Sequence, residues 1–492
     1  MEKFYITTSI AYTNAPPHIG FALELIQADV LARYNRLQGK DIYFLTGTDE
    51  HGTKVEKAAK EAGKTPQEFV DQISQKFQKL TQSLNISNTD FIRTTDTKRH
   101  LPAVEKVWKK LQENNDLYKQ KYKGFYCSGC EAFLTKKDLV EGKCPHHQKE
   151  PQIIEEENYF FRLSKYQDRL KEVIEKDELK IIPEERKNEI LSFIAQGLED
   201  ISFSRSKKRL KWGFSVPGDD EQVIYVWCDA LTNYISALGF ATNSDNFQKF
   251  WPADVHCIGK DILRFHAVYW PAILLSLNLP LPKSILVHGF ITVEGQKMSK
   301  SLGNVIDPFE LVEKYGAEAV RYYLLREIPT TRDGDFSYQK FEKRYNDDLA
   351  KGLGNLVARV VGIARKLKAP ACRQARQNSK IKTPPAGRAG TTQSPKLQNN
   401  IETAQKKYHK AIEEFKLNEA LIVIWELVGF CDKLIEEKRL WEEKEENRQE
   451  IENLVATIKI IAKLLEPFLP KTSEKIVEQL ESNDLTPLFP RV

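Results

Sequence analysis

The order of strand-like and helix-like segments in the first 65 residues is the strongest constraint on the fold. Phe4–Thr8 is a short β-branched and aromatic run, and from Phe21 to Leu37 the apolar residues recur at helical spacing. A second strand-like run, Ile42–Leu45, precedes another helix that runs toward Gly63. Because strands separated by helices usually pair in parallel, this order predicts an α/β fold with a parallel sheet covered by helices.

The alternation stops and later resumes. Residues 116–200 hold a cysteine cluster and a charged, helix-like stretch from Tyr166 to Lys180. Strand-like runs return at Val255–Ile258, with a helix after it through Leu277, and at Ser284–Val287. The sequence therefore predicts a parallel sheet that is split by an insertion.

The pattern after about residue 325 is helical. Between Ile401 and Cys431 the apolar residues recur at the spacing of one amphipathic helix of a bundle. Residues 371–400 differ, because they contain six basic residues, no acidic ones and few large aliphatic side chains. Such a segment buries too little apolar surface to order itself, so we predict a mobile basic segment there.

Composition and charge exclude several classes of protein. A chain of 492 residues is too long for one core, and 41% hydrophobic with 29% charged residues excludes a mostly disordered or fibrous chain. No apolar run approaches the roughly 20 residues that a spanning helix needs, and the N-terminus lacks a signal-peptide pattern. We therefore expect a cytoplasmic protein without a membrane partner. The net charge of +5 permits a nucleic-acid partner without requiring one.

Three cysteines and a histidine have the spacing of a zinc site. Cys127 and Cys130 form one close pair, and Cys144 and His147 form a second pair after a short interval. Zinc prefers four such ligands in a tetrahedron, and two short turns can supply two each. Buried apolar thiols are the alternative, but they do not require paired spacing. We predict one structural Zn²⁺ per chain, and four protein ligands leave no open position for catalysis.

Two further motifs have chemistry that suits phosphate. Lys297-Met298-Ser299-Lys300-Ser301 follows a strand, with Gly295 before it and Gly303 after it, and two lysines on such a loop can neutralise developing charge on a triphosphate. Pro17-His18-Ile19-Gly20 lies where the first strand meets the first helix, a junction that directs backbone N–H groups at bound phosphate. A solvated hairpin tip and a capping histidine are the structural alternatives.

Together these motifs resemble those of the class I aminoacyl-tRNA synthetases, and the details resemble the methionyl-tRNA synthetase family. The matching segments are Thr8-Ser9-Ile10-Ala11-Tyr12-Thr13-Asn14, Gly47-Thr48-Asp49-Glu50-His51-Gly52, Tyr225-Val226-Trp227-Cys228-Asp229-Ala230-Leu231-Thr232-Asn233-Tyr234, Ile258-Gly259-Lys260-Asp261-Ile262 and Val287-His288-Gly289-Phe290. The resemblance runs from about residue 4 to beyond 440 and is weakest in 371–400.

The resemblance implies a domain order. It is a Rossmann-like parallel-sheet catalytic domain split by a zinc-bearing insertion, followed by an α-helical anticodon-binding bundle. The halves of the catalytic domain are expected at 1–115 and 201–325, and the insertion at 116–200. A region that contacts the tRNA stem is expected at 326–350 and the anticodon-binding domain at 351–492.

The resemblance also implies a two-step reaction and its residues. L-Methionine and Mg²⁺-ATP give methionyl-adenylate, and methionine then passes to the terminal adenosine of initiator and elongator tRNA(Met). In the family, Asp49 holds the methionine ammonium, and the thioether pocket is lined by Ile10, Tyr12, Trp227, Ala230, Tyr234 and His288. The matching ATP-binding positions are His18, Gly20, Gly259, Asp261, Lys297 and Lys300, of which His18, Lys297 and Lys300 are the catalytic candidates.

The C-terminal helices contain the candidates for reading the CAU anticodon. Asn355 and Arg359 share one helix face, and Trp441 follows a basic run. All three match family positions, and arginine, asparagine and tryptophan suit the edges and faces of unstacked bases.

One position departs from the family pattern. The family usually has His-(Ile/Leu)-Gly-His, and Phe21 occupies the fourth position here, where it cannot donate to phosphate. The chain ends at Val492 without the appended domain that dimerises some members, so we expect a monomer. Two alternatives are another zinc-containing class I synthetase and a non-catalytic zinc-containing tRNA-binding protein.

Overall fold

The computed structural model describes residues 2–127, 132–134, 139–145, 148–298, 303–366, 395–442, 444–482 and 484–492. The chain divides into two compact units, Met1–His288 and Gly289–Val492.

The strands and helices of the first unit follow the chain in this order: β1 (Lys3–Thr8), β2 (Ala11–Tyr12), α1 (Ile19–Leu37), β3 (Asp41–Asp49), α2 (Thr53–Glu61), α3 (Pro66–Ser83), β4 (Asp90–Arg93), α4 (Leu101–Glu113), β5 (Leu117–Cys127), β6 (Ala132–Leu134), β7 (Gln152–Phe161), α5 (Gln167–Glu175), β8 (Lys180–Ile182), α6 (Glu184–Ala195), β9 (Ile201–Ser202), β10 (Ser204–Ser206), β11 (Ser215–Val216), β12 (Asp219–Ile224), α7 (Val226–Leu231), α8 (Asn233–Ser236), α9 (Asp245–Phe250), β13 (Val255–Gly259), α10 (Trp270–Ser276) and β14 (Ser284–His288).

Within the described residues, seven strands form the main sheet in the order β2-β3-β1-β13-β14-β8, with β4 beside β3. Every pairing in this sheet is parallel. Strands β13 and β14 are buried along their whole length, as expected for strands covered by helices on both faces. The prediction of an α/β fold with a parallel sheet is confirmed.

A second sheet lies mostly in the segment that was predicted to be an insertion, and its last strand, β9, follows directly after that segment. Strands β6, β5, β7 and β9 form it in that order, and all their pairings are antiparallel. The predicted range 116–200 differs from the structure at its C-terminal part, because β8 joins the main sheet beside β14. The apolar residues Ile181 and Ile182 of β8 pair there with Ile285 and Leu286. The predicted helix from Tyr166 to Lys180 is correspondingly shorter, since α5 ends at Glu175.

The second unit contains β15 (Ile291–Val293), β16 (Gln296–Lys297), α11 (Pro308–Tyr315), α12 (Ala317–Glu327), β17 (Gly334–Phe336), α13 (Tyr338–Arg344), α14 (Asn355–Lys366), α15 (Pro395–Glu413), α16 (Leu417–Lys438), α17 (Arg448–Leu465) and α18 (Pro470–Ser482). A π-helical stretch, Tyr345–Gly354, joins α13 to α14. The predicted boundary at residue 325 falls inside this unit, because β15 pairs with β17 and not with the main sheet. The prediction of a mostly helical C-terminal part is confirmed.

Two helices occupy the range where one helix was predicted between Ile401 and Cys431. Helix α15 ends at Glu413, and α16 begins at Leu417. Phe415 between them has a φ of 59°, a left-handed conformation that ends a helix. Of the segment 371–400 that was predicted to be mobile, 371–394 lie outside the described residues and 395–400 belong to α15.

Candidate functional site

The carboxyl ends of four parallel strands meet at one edge of the main sheet. Strands β1, β3, β13 and β14 end at Thr8, Asp49, Gly259 and His288. Strand β1 lies between β3 and β13, and the chain leaves it toward β3 through α1. Ligands of open α/β sheets bind in the crevice beyond the strand ends at such a reversal of strand order. This edge is therefore the candidate active site.

Asp49 and Tyr12 are neighbours at this edge. They are paired in the register of β2 and β3, and the backbone carbonyl of Asp49 accepts hydrogen bonds from the backbone N–H and the hydroxyl of Thr13, both at 3.0 Å. Asp49 is buried, and Tyr12 and Ile10 are half-buried. The arrangement places a carboxylate beside an aromatic ring where β3 ends.

His18 is the N-cap of α1. Its Nδ1 accepts a hydrogen bond from the backbone N–H of Gly20 at 3.1 Å. Because Nδ1 accepts, the proton of the neutral ring is on Nε2, which is then a donor. Desolvation lowers the pKa of His18, and the negative charge of Asp261 opposes this effect. His18 is thus a neutral donor at the start of the first helix.

Gly259, Asp261 and His288 lie together across β13 and β14. Gly259 is paired with His288 in the sheet register. A Cβ atom on residue 259 would be 2.9 Å from Oδ1 of Asp261 and 3.7 Å from the ring of His288, so these groups closely surround a backbone without a side chain. The missing side chain lets a ligand approach the backbone closely at this strand end.

Glu24 of α1 connects both sides of this edge. Its Oε1 accepts hydrogen bonds from the backbone N–H and the hydroxyl of Ser9, at 2.7 and 2.6 Å. Its Oε2 accepts from Nε2 of His288 at 2.8 Å. Sequence reasoning missed Glu24, and the available signal was a carboxylate in the otherwise apolar run Ile19–Ile26 of the helix.

The aromatic part of the site is built by α7, α8 and the π-helical turn Phe265–Tyr269. The indole of Trp227 stacks on the ring of Phe265, with centroids 3.6 Å apart and an angle of 5° between the planes. The hydroxyl of Tyr234 lies 2.7 Å from Nε2 of His266. Ala230 lies between Trp227 and Tyr234 in the sequence, and it is buried. Sequence reasoning missed Phe265 and His266, although they lie only a few residues after Asp261.

The hydrogen bonds of His266 fix its tautomer. Nδ1 lies 2.9 Å from the carbonyl oxygen of Ile262, which only accepts, so the proton is on Nδ1. Nε2 then accepts a hydrogen bond from the Tyr234 hydroxyl. Burial lowers the pKa of His266 to about 4, against a smaller opposite effect of the Ile262 carbonyl. The Tyr234 hydroxyl is therefore held in one orientation by a neutral imidazole.

Lys297 belongs to the second unit. The hairpin of β15 and β16 turns at Glu294 and Gly295, whose φ angles of 50° and 76° are those of a tight type I′ turn. The backbone N–H of Gly295 donates to Oδ1 of Asp335 at 2.7 Å, and the ammonium of Lys297 lies 5.2 Å from the ring centroid of Phe290. Lys300 lies outside the described residues.

Two of the four predicted zinc ligands are described. Cys127 is the last residue of β5, and both Cys127 and Cys144 are buried. Cys144 opens a turn in which its carbonyl accepts from the N–H of Gln148 and its N–H donates to the carbonyl of Lys149, at 2.8 and 2.9 Å. Cys130 and His147 lie outside the described residues. Among the side chains that are described, no group of three or more His, Cys, Asp and Glu could hold a metal.

The anticodon candidates lie in the first two turns of α14 and just after α16. Asn355 begins α14 and is exposed. Arg359, on the same helix, forms ion pairs with Asp432 and Glu436 of α16 at 3.3 and 2.6 Å. Trp441 follows the end of α16 and is 45% exposed.

Comparisons with known proteins identify the family of this chain. The sequence model described as "tRNA synthetases class I (M)" matches residues 4–152 and 147–361, and "Anticodon-binding domain of tRNA ligase" matches 396–490. Methionine--tRNA ligase of Thermotoga maritima is 43% identical over 97% of this chain and 75% of its own length. That of Bacillus subtilis is 43% identical over 98% of this chain and 73% of its own length.

A solved structure gives the same result for the fold. Mycobacterium tuberculosis methionyl-tRNA synthetase in complex with methionyl-adenylate has a TM-score of 0.88 and 37% identity, and the match covers 100% of both chains. These relatives do not favour either alternative raised from the sequence. None of the helices in the described ranges combines the length and hydropathy that a membrane crossing needs. The chain therefore belongs to the class I aminoacyl-tRNA synthetases, in the methionine--tRNA ligase family.

Proposed function

We propose that this ligase forms methionyl-adenylate at the carboxyl edge of its main sheet and then charges tRNA(Met), initiator and elongator. In the first step a carboxylate oxygen of L-methionine attacks the α-phosphorus of Mg²⁺-ATP, and the bond from that phosphorus to the pyrophosphate leaving group breaks. In the second step a hydroxyl of the terminal adenosine attacks the methionyl carbonyl, and AMP leaves. Positioning and charge stabilisation supply most of the catalysis in such transfers.

The observation that carries this proposal is the position of Asp49 at the end of β3, next to Tyr12 in the sheet register. A buried carboxylate there can hold the α-ammonium group of methionine, because opposite charges attract strongly in a poorly solvated site. We assign the thioether side chain to the aromatic surface of Trp227 and Tyr234, with Ile10, Tyr12 and Ala230 as its apolar neighbours. Polarizable sulfur interacts well with aromatic rings.

On the nucleotide side, we assign the ribose of ATP to Gly259 and Asp261. The close surroundings of Gly259 support this assignment, since a side chain there would displace the Asp261 carboxylate. The Nε2–H of His18 is a donor to a phosphate oxygen, because Nδ1 is engaged with Gly20. His288, expected at the methionine pocket, contacts Glu24 and faces Gly259, and we keep it as a supporting residue of this edge.

Lys297 and Lys300 are the proposed cations for the phosphates. Their positions match the family's phosphate-binding loop, and the hairpin turn at Glu294 and Gly295 fixes the strand that carries Lys297. Two ammonium groups on one loop offset negative charge that develops on the leaving pyrophosphate. Gly20 belongs to the same ATP-binding set through its place in the first turn of α1.

Zinc is a proposed structural cofactor of this chain. Cys127 and Cys144 fit that role, because a buried thiol at a strand end and a second buried thiol that opens a tight turn are typical of a zinc knuckle. Cys130 and His147 complete the proposed ligand set. When bound, the metal crosslinks the two turns and supplies folding free energy; no reaction step passes through it.

Anticodon recognition is assigned to Asn355, Arg359 and Trp441. The exposure of Trp441 supports a stacking role, since a tryptophan that served only the core would be covered. Arg359 is held by two carboxylates on α16, which orients its guanidinium before a base arrives. A monomer and a cytoplasmic location remain predictions, which light scattering and cell fractionation test.

The decisive experiment is ATP–pyrophosphate exchange with a panel of amino acids, each at saturating concentration. We expect exchange with methionine and far less with leucine, cysteine and norleucine. An Asp49→Asn variant should raise the KM for methionine much more than the KM for ATP. Exchange driven best by another amino acid contradicts the proposal.

A further inference from the structure

A buried carboxylate joins two imidazoles close to the proposed methionine site. Asp229 of α7 is 2% exposed. Its Oδ2 lies 2.7 Å from Nδ1 of His51, and its Oδ1 lies 2.9 Å from Nε2 of His100. The other ring nitrogen of His100 lies 2.8 Å from the hydroxyl of Ser236 in α8. These residues form one buried chain of hydrogen bonds.

The direction of these bonds follows from the charge of Asp229. Burial alone disfavours the carboxylate, but His51 and His100 hold the pKa of Asp229 below its usual value. An ionised carboxylate only accepts, so both imidazoles donate to it. Each imidazole occupies a different carboxylate oxygen, and the carboxylate is almost completely covered. Asp229 therefore acts on neighbouring structure and does not contact a reactant.

The chain connects the two segments that hold the proposed methionine contacts. His51 lies two residues after Asp49, in the loop that follows β3. Asp229 lies two residues after Trp227, in the same helix α7. The residue between Asp49 and His51 is also fixed, because the Glu50 carboxylate pairs with Arg93 at 2.7 and 2.9 Å. The loop is thus anchored on one side to Arg93 and on the other to Asp229.

The histidine rings themselves are packed into aromatic surroundings. The ring of His51 contacts the ring of Phe214 at a centroid distance of 4.6 Å and that of Trp212 at 5.5 Å. The indole N–H of Trp212 donates to the backbone carbonyl of Glu50 at 2.5 Å. Little water reaches the Asp229 hydrogen bonds, so each one is strong and costly to break.

We propose that His51, Asp229 and His100 are positioning residues that set the distance between Asp49 and Trp227 and thereby the affinity for methionine. The inference rests on the proposed function, in which Asp49 holds the ammonium and Trp227 the thioether of the substrate. The role is selective: methionine binding depends on the relative position of both segments, whereas ATP binding depends on Gly259, Asp261 and His18.

The histidines allow a test with paired substitutions of matched polarity. In asparagine the amide nitrogen is as many bonds from Cα as Nδ1 is in histidine, and in glutamine it corresponds to Nε2. His51 bonds Asp229 through Nδ1, so His51→Asn retains a donor at that place and His51→Gln does not. His100 bonds through Nε2, so His100→Gln retains the donor and His100→Asn does not. Asparagine is therefore the conservative replacement at residue 51, and glutamine is the conservative replacement at residue 100.

The measurement is the KM for methionine and for ATP in pyrophosphate exchange, with kcat. We expect His51→Gln and His100→Asn to raise the KM for methionine roughly tenfold or more, as loss of a bond to a buried charge implies. His51→Asn and His100→Gln should stay within roughly threefold of the parent chain. The KM for ATP should change less than about twofold in all four variants.

Asp29→Asn is the control for a general loss of stability. Asp29 is a fully buried carboxylate of α1 that accepts from the backbone N–H and hydroxyl of Ser87 at 2.7 and 2.6 Å. The Asp29→Asn substitution should lower the melting temperature and leave the KM for methionine unchanged.

Two results would overturn the inference. One is that Asn and Gln behave alike at both sites. The other is that the KM values for methionine and ATP rise together in step with the loss of melting temperature. If the parent chain shows no methionine-dependent exchange, the proposed function itself is wrong. That result differs from the two above, in which the parent chain is active and only the variants behave unexpectedly.

Discussion

The ring of Phe21 packs edge-on against the ring of Phe77, with centroids 5.2 Å apart and an angle of 87° between the planes. Phe77 is buried in α3 within a small core cluster that includes Ala11 and Ile73. The position where the family usually has a second histidine is therefore a packing position in this chain. The aromatic contact between Phe21 and Phe77 packs the first turn of α1 against α3.

This packing gives different expectations for two positions of the first motif. His18→Ala removes a preorganised donor and should slow adenylate formation by about 10²–10³. Phe21→Ala should slow it by roughly tenfold or less, while lowering the free energy of unfolding by about 1–3 kcal/mol because half of an aromatic pair is lost. Single-turnover adenylate formation and urea unfolding measure the two effects. If Phe21→Ala slows the chemistry as much as His18→Ala in a folded protein, Phe21 shapes the ATP site directly.

Gly259 should be sensitive to a single methyl group. In Gly259→Ala the new Cβ would be 2.9 Å from Oδ1 of Asp261, so the carboxylate has to move away from the proposed ribose position. We expect the KM for ATP to rise about tenfold, as for loss of one hydrogen bond to a charged group, with a smaller change for methionine. Gly213→Ala is a matched control, since its Cβ would meet only a side-chain methyl of Val223 in the same unit. Equal effects of both substitutions on ATP binding contradict the assignment.

Trp441 should affect tRNA and not adenylate formation. If it stacks on an anticodon base, Trp441→Ala loses on the order of 1–3 kcal/mol of tRNA binding. Trp425→Ala is the contrast, because the Trp425 ring packs 4.5 Å from that of Tyr322 and its N–H donates to the carbonyl of Asp348. That variant should chiefly lose stability. Aminoacylation kinetics, pyrophosphate exchange and thermal melting separate the two outcomes, and a fall in exchange for Trp441→Ala would identify it as a structural residue.

One zinc ion per chain is expected in protein purified without chelator. Cys127→Ser should reduce the zinc content well below one per chain, because a hydroxyl is a poor zinc ligand. Cys431→Ser changes a buried thiol of α16 in the second unit and should leave the zinc content intact. Metal analysis by mass spectrometry decides this, and full occupancy in Cys127→Ser would contradict the ligand set.

Stability should depend on pH through two buried histidines. Burial lowers the pKa of His266 to about 4 and that of His256 well below 6.5. Between about pH 4 and 6.5 the unfolded chain binds protons that the folded chain does not, so stability rises with pH by up to about 1.4 kcal/mol per unit for each such histidine. His266→Asn keeps a donor to Ile262 and should reduce this slope. Urea unfolding at pH 5 and pH 7 measures it; an unchanged slope means that His266 titrates normally.

The sequence predicted four of the seven described strands of the main sheet, because these four are mostly apolar runs with turn signals beside them, whereas β2, β4 and β8 were not predicted. The runs at Phe4–Thr8 and Ser284–Val287 correspond to β1 and β14 almost residue for residue. Strand β8 was missed because only Ile181 and Ile182 are apolar in it and its partner β14 lies far along the chain. A short edge strand is stabilised by its neighbour, which local patterns do not reveal.

The residues of the candidate site also fall into a group that the sequence reveals and a group that only the structure reveals. Asp49, Trp227 and Asp261 lie in motifs that can be read from the sequence, whereas Glu24 and His266 owe their importance to partners brought close by folding. The tautomers of His18 and His266 likewise depend on a backbone N–H and a backbone carbonyl, groups that do not distinguish one residue type from another in the sequence. Such details become visible only when hydrogen-bond partners are known.

The hydrogen bonds of Glu24 affect the free energy of ligand binding at this edge. Through Ser9 after β1 and His288 at the end of β14, one carboxylate ties together the two strands on either side of β13. These strand ends, where we propose that the substrates bind, are therefore held together by hydrogen bonds before any ligand arrives. Little conformational entropy remains to be lost at these strand ends on binding, so more of the contact energy there appears as affinity. Under this proposal, substitution of Glu24 would weaken binding by leaving these strand ends to be ordered by the ligand itself.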